Sequence, residues 1–323
     1  MTPISRIDQL DHDPERNCAS LAHMSSLVLA CLDAVQARSV VEVGALAGDL
    51  TDVLADWAQG CGARICAVDP SPHEDLLSLA QDRPEVELVQ KMSIKALAEI
   101  DLPDVVILDG DHNYYTVISE LRVISQRASG ADLPLILFHD VCWPHARRDD
   151  YYDIESIPPE YRHKMVGDRG GLLPQEPGFS SDAGLPFPKS AEREGGPRNG
   201  VLTGIEDFIA ESDRLRLAVV PAFYGFGVLW HQDAPWASGL QTVIEPWDAN
   251  PVLAALESNR LEHLARSHSR LMQLARQEAV LDRLLGSSAF EVAERLSKAR
   301  ARAGVATSQS LVSKDEIRRA LGR

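Results

Sequence analysis

The chain has 323 residues, of which 45% are apolar and 25% charged, and this composition is ordinary for a globular protein with one large core. Its formal net charge of −16 argues against nucleic acid and anionic membranes as partners, because both bind basic surfaces. We identify no apolar run of the roughly 20 residues that cross a membrane, and the polar N-terminal stretch does not read as a signal peptide. The five cysteines form no CxxC pair. We therefore expect a reduced, cytoplasmic protein.

Short apolar runs alternate with helical patterns up to Asp140. The predicted helices span residues 15–37, 49–58, 73–81, 94–100 and 115–128. The predicted strands span residues 39–44, 63–69, 86–89, 104–109 and 133–140. The strands are continuously apolar, as expected when both faces of a sheet are covered. The alternation predicts an α/β fold with a doubly wound, mostly parallel sheet.

The alternation stops after Asp140. Residues 142–200 contain 8 of the 19 prolines and show little periodicity, so we expect a lid or substrate-binding insertion. A helix over residues 204–212 and strands over 214–220 and 223–231 follow, which brings the predicted strands to seven. The two-residue link Pro221-Ala222 predicts that the last two strands are antiparallel.

The chain changes character again at residue 250. The following segment is helical throughout, and it carries leucines at near-heptad spacing, namely Leu264, Leu271, Leu274, Leu281 and Leu285. We therefore divide the chain into a domain of residues 1–249, which includes the insertion, and a C-terminal helical extension of residues 250–323. The extension is expected either to form a homodimer or higher homo-oligomer, or to pack on its own domain.

Glycines and polar residues follow the first three predicted strands. The stretch EVGALAG (42–48) opens a helix, and its two glycines permit a tight turn and the close approach of a ligand. It lacks the third glycine of GxGxxG, which disfavours a nicotinamide-dependent oxidoreductase. Asp69 ends the second strand, where a carboxylate can accept hydrogen bonds from ribose hydroxyls, and Ser93 follows the third. The alternative is a structural glycine turn with a solvated aspartate.

The stretch Asp109-Gly110-Asp111-His112 follows the fourth strand, and Asp140 ends the fifth. Carboxylates at neighbouring strand ends can converge on one cation, which would stabilise a developing alkoxide. Histidine, with an unperturbed pKa of about 6.5, suits the role of a base at neutral pH. Alternatively, Asp109 caps a helix and Asp111 is a turn residue. We expect two histidines of the insertion, His145 and His163, to lie in a solvated loop.

Four of these stretches together resemble the class I S-adenosylmethionine-dependent methyltransferases, and more narrowly their branch of metal-dependent sugar O-methyltransferases. They are EVGALAG, VDPS (68–71), ILDGDHNYY (107–115) and LFHDV (137–141). The resemblance implies a seven-stranded Rossmann-like methyltransferase fold and S-adenosyl-L-methionine as cofactor. It also implies a divalent cation, magnesium or manganese, and transfer to a sugar hydroxyl of a glycosylated small molecule or glycan precursor.

The resemblance also implies roles for individual residues. Those expected at the cofactor are Glu42, Gly44, Ala45, Gly48, Asp69, Met92, Ser93 and Asp109. Asp109, Asp140 and His139 would be the metal ligands and His112 the general base. From its own chemistry and position, Asp111 is either a second candidate base or a further ligand. This sequence departs from the resemblance at His139, where an acid is frequent, and imidazole suits manganese, iron or zinc better than magnesium. A metal-independent methyltransferase and a non-catalytic binding protein on the same fold remain alternatives.

Overall fold

The structure, a computed structural model, describes residues 20–305 together with residues 314, 316 and 317. The predicted start of the first helix and the polar N-terminal stretch lie outside the described residues, as does most of the chain after residue 305. No helix among the residues described is long and apolar enough to span a membrane.

Seven strands form one sheet. They are β1 (Ser39–Val43), β2 (Arg64–Val68), β3 (Val86–Val89), β4 (Val105–Leu108), β5 (Leu135–His139), β6 (Leu215–Val220) and β7 (Phe226–His231). Their order across the sheet is β3-β2-β1-β4-β5-β7-β6, and only β7 runs antiparallel to its neighbours β5 and β6. The prediction of a Rossmann-like, doubly wound α/β fold with a mostly parallel seven-stranded sheet is confirmed.

Helices cover both faces of the sheet. They are α1 (Ser25–Ala34), α2 (Asp49–Cys61), α3 (Glu74–Asp82), α4 (Ser93–Glu99), α5 (Tyr114–Arg127), α6 (Val201–Ile209), α7 (Ala237–Ile244), α8 (Pro251–Leu285) and α9 (Ser288–Arg302). Successive strand residues point to opposite faces, so Val105 and Ile107 join the core under α1, α2 and α7, whereas Val106 and Leu108 join the core under α4, α5 and α6. This explains why the strands are apolar without alternation.

Two local predictions were wrong. Helix α6 begins at Val201, three residues before the predicted start, directly after Gly200. The link between β6 and β7 has five residues, 221–225, instead of two. Phe223 and Tyr224 have positive φ angles of 49° and 67°, which are incompatible with the extended backbone of a strand. The link is a turn, and the two strands are antiparallel as predicted.

The insertion of residues 142–200 is folded against the sheet domain and has an interior of its own. Arg148 is fully buried, and its guanidinium donates to the carbonyls of Ala191 (2.6 Å) and Pro177 (3.1 Å). Tyr151 is buried as well, and its hydroxyl donates to Asp149. These contacts satisfy polar groups inside a segment that has only short 3₁₀ turns and isolated bridges for regular structure.

Helix α8 has 35 residues and is therefore about 52 Å long. Its first half packs on the domain through Leu261 and Ala265, which are buried. Farther along, Ser269 accepts a hydrogen bond from the Gly184 amide of the insertion. Two residues of the near-heptad series, Leu271 and Leu274, are 63% and 55% exposed, so the residues that the structure describes do not cover this part of the helix.

Candidate active site

A cavity of about 370 Å³ opens at the carboxyl ends of β1, β2, β4 and β5. In open α/β sheets this edge binds ligands where the strand order reverses, which here is between β1 and β4. Eleven of the twelve predicted site residues line the cavity, namely Glu42, Gly44, Ala45, Asp69, Met92, Ser93, Asp109, Asp111, His112, His139 and Asp140. The twelfth, Gly48, is the N-cap of α2 and does not line it.

The glycine loop is shaped by its neighbour strand. Gly44 has a φ of +86°, and a Cβ atom there would lie 2.0 Å from the carbonyl oxygen of Asp109. Only glycine fits so close an approach. The end of β4 therefore requires glycine at position 44, whether or not a ligand binds there. The loop is further tied to β2 because Asp69 accepts hydrogen bonds from the amides of Leu46 (2.9 Å) and Ser71 (2.8 Å).

Asp69 keeps capacity for a ligand. An ionised carboxylate offers about four lone-pair positions, and the two backbone amides use one on each oxygen. The side chain lies at the cavity wall together with Met92, the N-cap of α4, and Ser93, the first residue of α4. This donor and acceptor set fits the ribose and base of an adenosyl group.

Glu42 lies in β1 and lines the cavity. It is buried, and its Oε2 atom accepts a short hydrogen bond of 2.6 Å from the Thr51 hydroxyl of α2. Burial raises the pKa of Glu42 to about 8, and the nearby charge of Asp109 adds to this effect, while the Thr51 hydrogen bond opposes it. The carboxyl group is therefore mostly protonated at neutral pH.

Two carboxylates and two imidazoles converge beside the glycine loop. The Nδ1 atom of His139 lies 3.1 Å from Asp109 Oδ1, and its Nε2 atom donates to the carbonyl of Phe223 at 2.7 Å. The Nε2 atom of His112 lies 3.2 Å from Asp140 Oδ2 and 3.5 Å from Asp109 Oδ1. The end of β4, the end of β5 and the loop after β4 are thus joined in one cluster.

The charges in this cluster determine the protonation of both histidines. Burial by itself lowers the pKa of each imidazole, but the charges of Asp109 and Asp140 outweigh it. The pKa of His112 is raised to about 10 and that of His139 to about 9. Burial likewise works against an ionised Asp109, yet the two imidazoles hold its pKa down at about 2. His112 is therefore an imidazolium at neutral pH, unlike the unperturbed residue assumed from the sequence.

The cluster also offers a set of metal donors. Atoms of Asp109, His112 and Asp140 lie within 4.8 Å of one another. Apart from its ion pairs with Asp140 and Asp109, the buried Nε2 atom of His112 has no hydrogen bond with any residue that the structure describes, and it can bind a metal once it has lost its proton. The residues therefore fit a divalent cation, and a mixed carboxylate and imidazole set fits manganese, iron or zinc better than magnesium.

Asp111 has both carboxylate oxygens engaged. Oδ1 accepts from the Tyr152 amide (2.8 Å) and Oδ2 from the Thr116 hydroxyl (2.9 Å). The insertion binds this loop at two further points, since the Asp150 amide donates to the His112 carbonyl (2.9 Å) and Asp149 accepts from the Tyr114 amide (2.8 Å). Asp111 is thus one of three anchors by which the insertion holds His112.

His145 is not in a solvated loop, so that expectation was wrong. It is 4% exposed, its ring stacks on that of His112 at 5.3 Å, and its Nδ1 atom has no hydrogen-bond partner among the residues described. His112, His145 and Asp150 also bring donor atoms within 4.8 Å of one another. His163 stays near the surface, where its Nε2 atom lies 2.9 Å from the Arg198 carbonyl.

Sequence reasoning missed two contributions to the site. Tyr152 of the insertion lines the cavity although it is 40 residues away from His112 along the chain, and Phe223 supplies only a backbone carbonyl. The aromatic content of the insertion was a signal for the first. A carbonyl leaves no signal in the sequence, so the second could not be found.

The cavity wall is acidic. Five aspartates line it, namely Asp49, Asp69, Asp109, Asp111 and Asp140, and they outnumber the two imidazolium groups of His112 and His139; no lysine or arginine is among the described residues of the lining. This excess of carboxylates attracts cations.

Comparison with known proteins adds a likeness of fold. No protein-family model matches the chain, and no curated protein matches it. Among solved structures, an SAH-bound methyltransferase of Podospora anserina is 14% identical, with a TM-score of 0.40 over 69% of this chain and 83% of that chain. A structure described as a putative caffeoyl-CoA O-methyltransferase of Staphylococcus aureus is 10% identical, with a TM-score of 0.43 over 72% and 93%. One described as a putative O-methyltransferase of Klebsiella pneumoniae is 14% identical, with a TM-score of 0.38 over 71% and 94%. Likeness at this level does not identify a reaction.

Proposed function

We propose that this chain is an S-adenosylmethionine-dependent O-methyltransferase that acts on a sugar hydroxyl with the help of a divalent cation. The observation that carries the proposal is the sharing of one cavity by two sets of residues. The glycine loop and Asp69 line this cavity, and so do Asp109, Asp140 and His112. A methyl donor and an acceptor hydroxyl need such adjacent sites, because catalysis of methyl transfer is largely the alignment of the two.

The cofactor would be held by the glycine loop, Asp69 and the Met92-Ser93 wall, and it would supply the methyl group from its sulfonium. Its sulfonium and α-ammonium outnumber its single α-carboxylate, and this net positive charge matches the acidic lining of the cavity. Asp69 would orient the ribose. The hydrogen bonds that its carboxylate accepts from two backbone amides keep the carboxylate fixed.

A cation held by Asp109, Asp140 and the Nδ1 atom of His139 would stabilise the alkoxide that forms at the acceptor oxygen, and this leaves His112 free to act as the base. His112 takes the acceptor proton at its Nε2 atom. For this role its imidazole must be neutral, which requires that the charges of Asp109 and Asp140 be offset, since these charges hold its proton. The hydrogen bonds from the insertion to residues 111–114 fix the position of this ring.

Calorimetry tests the proposal on the full chain. Wild-type protein should bind S-adenosylhomocysteine and, separately, Mn²⁺. Asp109→Asn and Asp140→Asn should abolish Mn²⁺ binding and retain S-adenosylhomocysteine binding, whereas Asp82→Asn, an exposed site on α3, should change neither. Radiolabelled methyl transfer to a panel of glycosides then tests the acceptor. Absence of S-adenosylhomocysteine binding to the wild type would refute the methyltransferase proposal as a whole.

A metal-independent methyltransferase is the second candidate, and a specific observation favours it. His112 and His139 are cationic and already pair with Asp109 and Asp140, so both carboxylates have positive partners within the chain. Activity that survives complete removal of metal by EDTA would select this candidate over the first.

A further inference from the structure

The turn between β6 and β7, residues 221–225, contacts His139, which in turn contacts Asp109 of the candidate metal site. Three consecutive residues in it have positive φ angles, namely Phe223 (49°), Tyr224 (67°) and Gly225 (99°). Residues other than glycine rarely adopt this conformation, and they keep it only where their surroundings hold them. The shape of this turn therefore depends on contacts from outside it.

The turn binds the chain on both sides of Asp140. The carbonyl of Phe223 accepts a hydrogen bond from His139 Nε2 at 2.7 Å, and the carbonyl of Tyr224 accepts one from the Cys142 amide at 2.7 Å. Asp140 itself has a φ of 58°, so it also needs support. A Cβ atom on Gly225 would lie 2.6 Å from the Cys142 amide nitrogen, which shows how closely the two segments approach. The turn thus fixes the residue before Asp140 and the chain two residues after it.

The turn is held in place by helix α8. Glu257 is only 7% exposed, and its Oε1 atom accepts a hydrogen bond from the Tyr224 amide at 2.8 Å. Arg260 binds the same carboxylate with two nitrogens, Nε to Oε2 and Nη2 to Oε1, both at 2.7 Å. Such a paired arrangement fixes the plane of the carboxylate.

Arg260 also contacts the turn directly. Its guanidinium lies 4.6 Å from the ring centre of Tyr224 and 5.5 Å from that of Phe223, within the range of cation–π attraction. Glu257 and Arg260 therefore act on the backbone and on the side chains of the same two strained residues. No other part of the extension has such a link to the cluster among the residues described.

We propose that Glu257 is a positioning residue of the candidate active site. Through the Phe223–Gly225 turn it holds His139 and Asp140 in the arrangement that binds a divalent cation. The cation's role rests on the proposed function, but the contacts do not. This gives the C-terminal extension a part in the site, in addition to any part in oligomerisation. The competing explanation is that Glu257 only anchors α8 to the domain.

The test measures Mn²⁺ and S-adenosylhomocysteine binding separately, by calorimetry on the full chain. The variants are Glu257→Gln, Glu257→Ala and the control Glu262→Gln. The control removes the same kind of charge on the same helix, from an exposed pair with Arg266. Loss of groups that orient metal ligands typically weakens metal binding 10- to 100-fold. We expect about tenfold weaker Mn²⁺ binding for Glu257→Ala, a smaller loss for Glu257→Gln, and wild-type S-adenosylhomocysteine affinity in both.

Several results would contradict the proposal, and they can be told apart. Wild-type Mn²⁺ affinity in both Glu257 variants would overturn the positioning role and leave the proposed function intact. Mn²⁺ that fails to bind even the wild type would refute the metal part of the proposed function and this proposal with it. Equal weakening of both ligands together with a lower Tm would indicate general loosening, which is the anchoring explanation. Glu257→Gln is nearly isosteric, so it keeps the test open if Glu257→Ala does not fold.

Discussion

Replacement of Glu42 by glutamine should stabilise the free protein, and the gain should grow with pH. Burial raises the pKa of Glu42 from 4.5 to about 8. The folded state then binds a proton that the unfolded state releases, so this group costs stability as the pH rises from about 4.5 to about 8. Below that window both states are protonated and there is no cost. Glutamine has a similar shape to the protonated acid but cannot ionise, so Glu42→Gln removes the cost.

The size of the effect follows from the two pKa values. With 4.5 in the unfolded state and about 8 in the folded state, the cost is about 1 kcal/mol at pH 5 and about 3 kcal/mol at pH 7. It approaches about 5 kcal/mol only above pH 8. The altered hydrogen bond from Thr51 adds a contribution of about 1 kcal/mol that does not depend on pH. The informative quantity is therefore the change in the variant's advantage between pH 5 and pH 7, about 2 kcal/mol.

Urea unfolding of the ligand-free protein at pH 5, 6, 7 and 8 measures this quantity. Thr51→Val provides a second check, because the hydroxyl that it removes lowers the pKa of Glu42. Thr51→Val should therefore destabilise the protein more at pH 8 than at pH 5. A free-energy difference between Glu42→Gln and the wild type that stays constant from pH 5 to pH 8 would mean that Glu42 is ionised when folded, and it would refute the reasoning.

Asp69→Ala should weaken S-adenosylhomocysteine binding at least tenfold in calorimetry, and it should lower Tm because two backbone amides lose their acceptor; unchanged affinity would remove Asp69 from the cofactor site. His112→Ala should retain S-adenosylhomocysteine binding but reduce turnover by about 10²–10⁴-fold, the usual contribution of a general base, and near-normal turnover would move the base role to Asp111. Glu120, whose pKa burial raises to about 8, should show the same pH-dependent gain on replacement by glutamine, and a gain that does not change with pH would contradict this. We also propose that α8 pairs with a second copy of the chain through Leu271 and Leu274. Sedimentation should then show a dimer that Leu271→Glu dissociates, and a monomeric wild type would contradict it.

Much of the sheet follows from local pattern. Continuous apolar runs such as 104–109 predict strands covered on both faces, and their alternation with helices predicts parallel order. Parallel order alone brings the residues after each strand to one edge. This is why Gly44, Asp69 and Asp109 could be predicted to share a site from their positions along the chain.

Other features of the site were decided by contacts between distant segments. The insertion holds the loop of Asp111 and His112 through bonds that join residues 38 to 41 positions apart, and helix α8 holds the turn of Phe223 and Tyr224 through Glu257. The protonation of His112 likewise depends on Asp140, which is close in space but 28 residues away in the chain.

The sequence by itself determined the strands, the order of the elements and the edge at which their ends meet, because periodicity and strand direction are local properties. The tertiary structure alone decided which backbone carbonyls and amides face the site, why Gly44 must be glycine, and the charge on His112. Strained turns such as 223–225 and shifted pKa values exist only when surrounding groups are packed around them, and sequence spacing does not encode that packing.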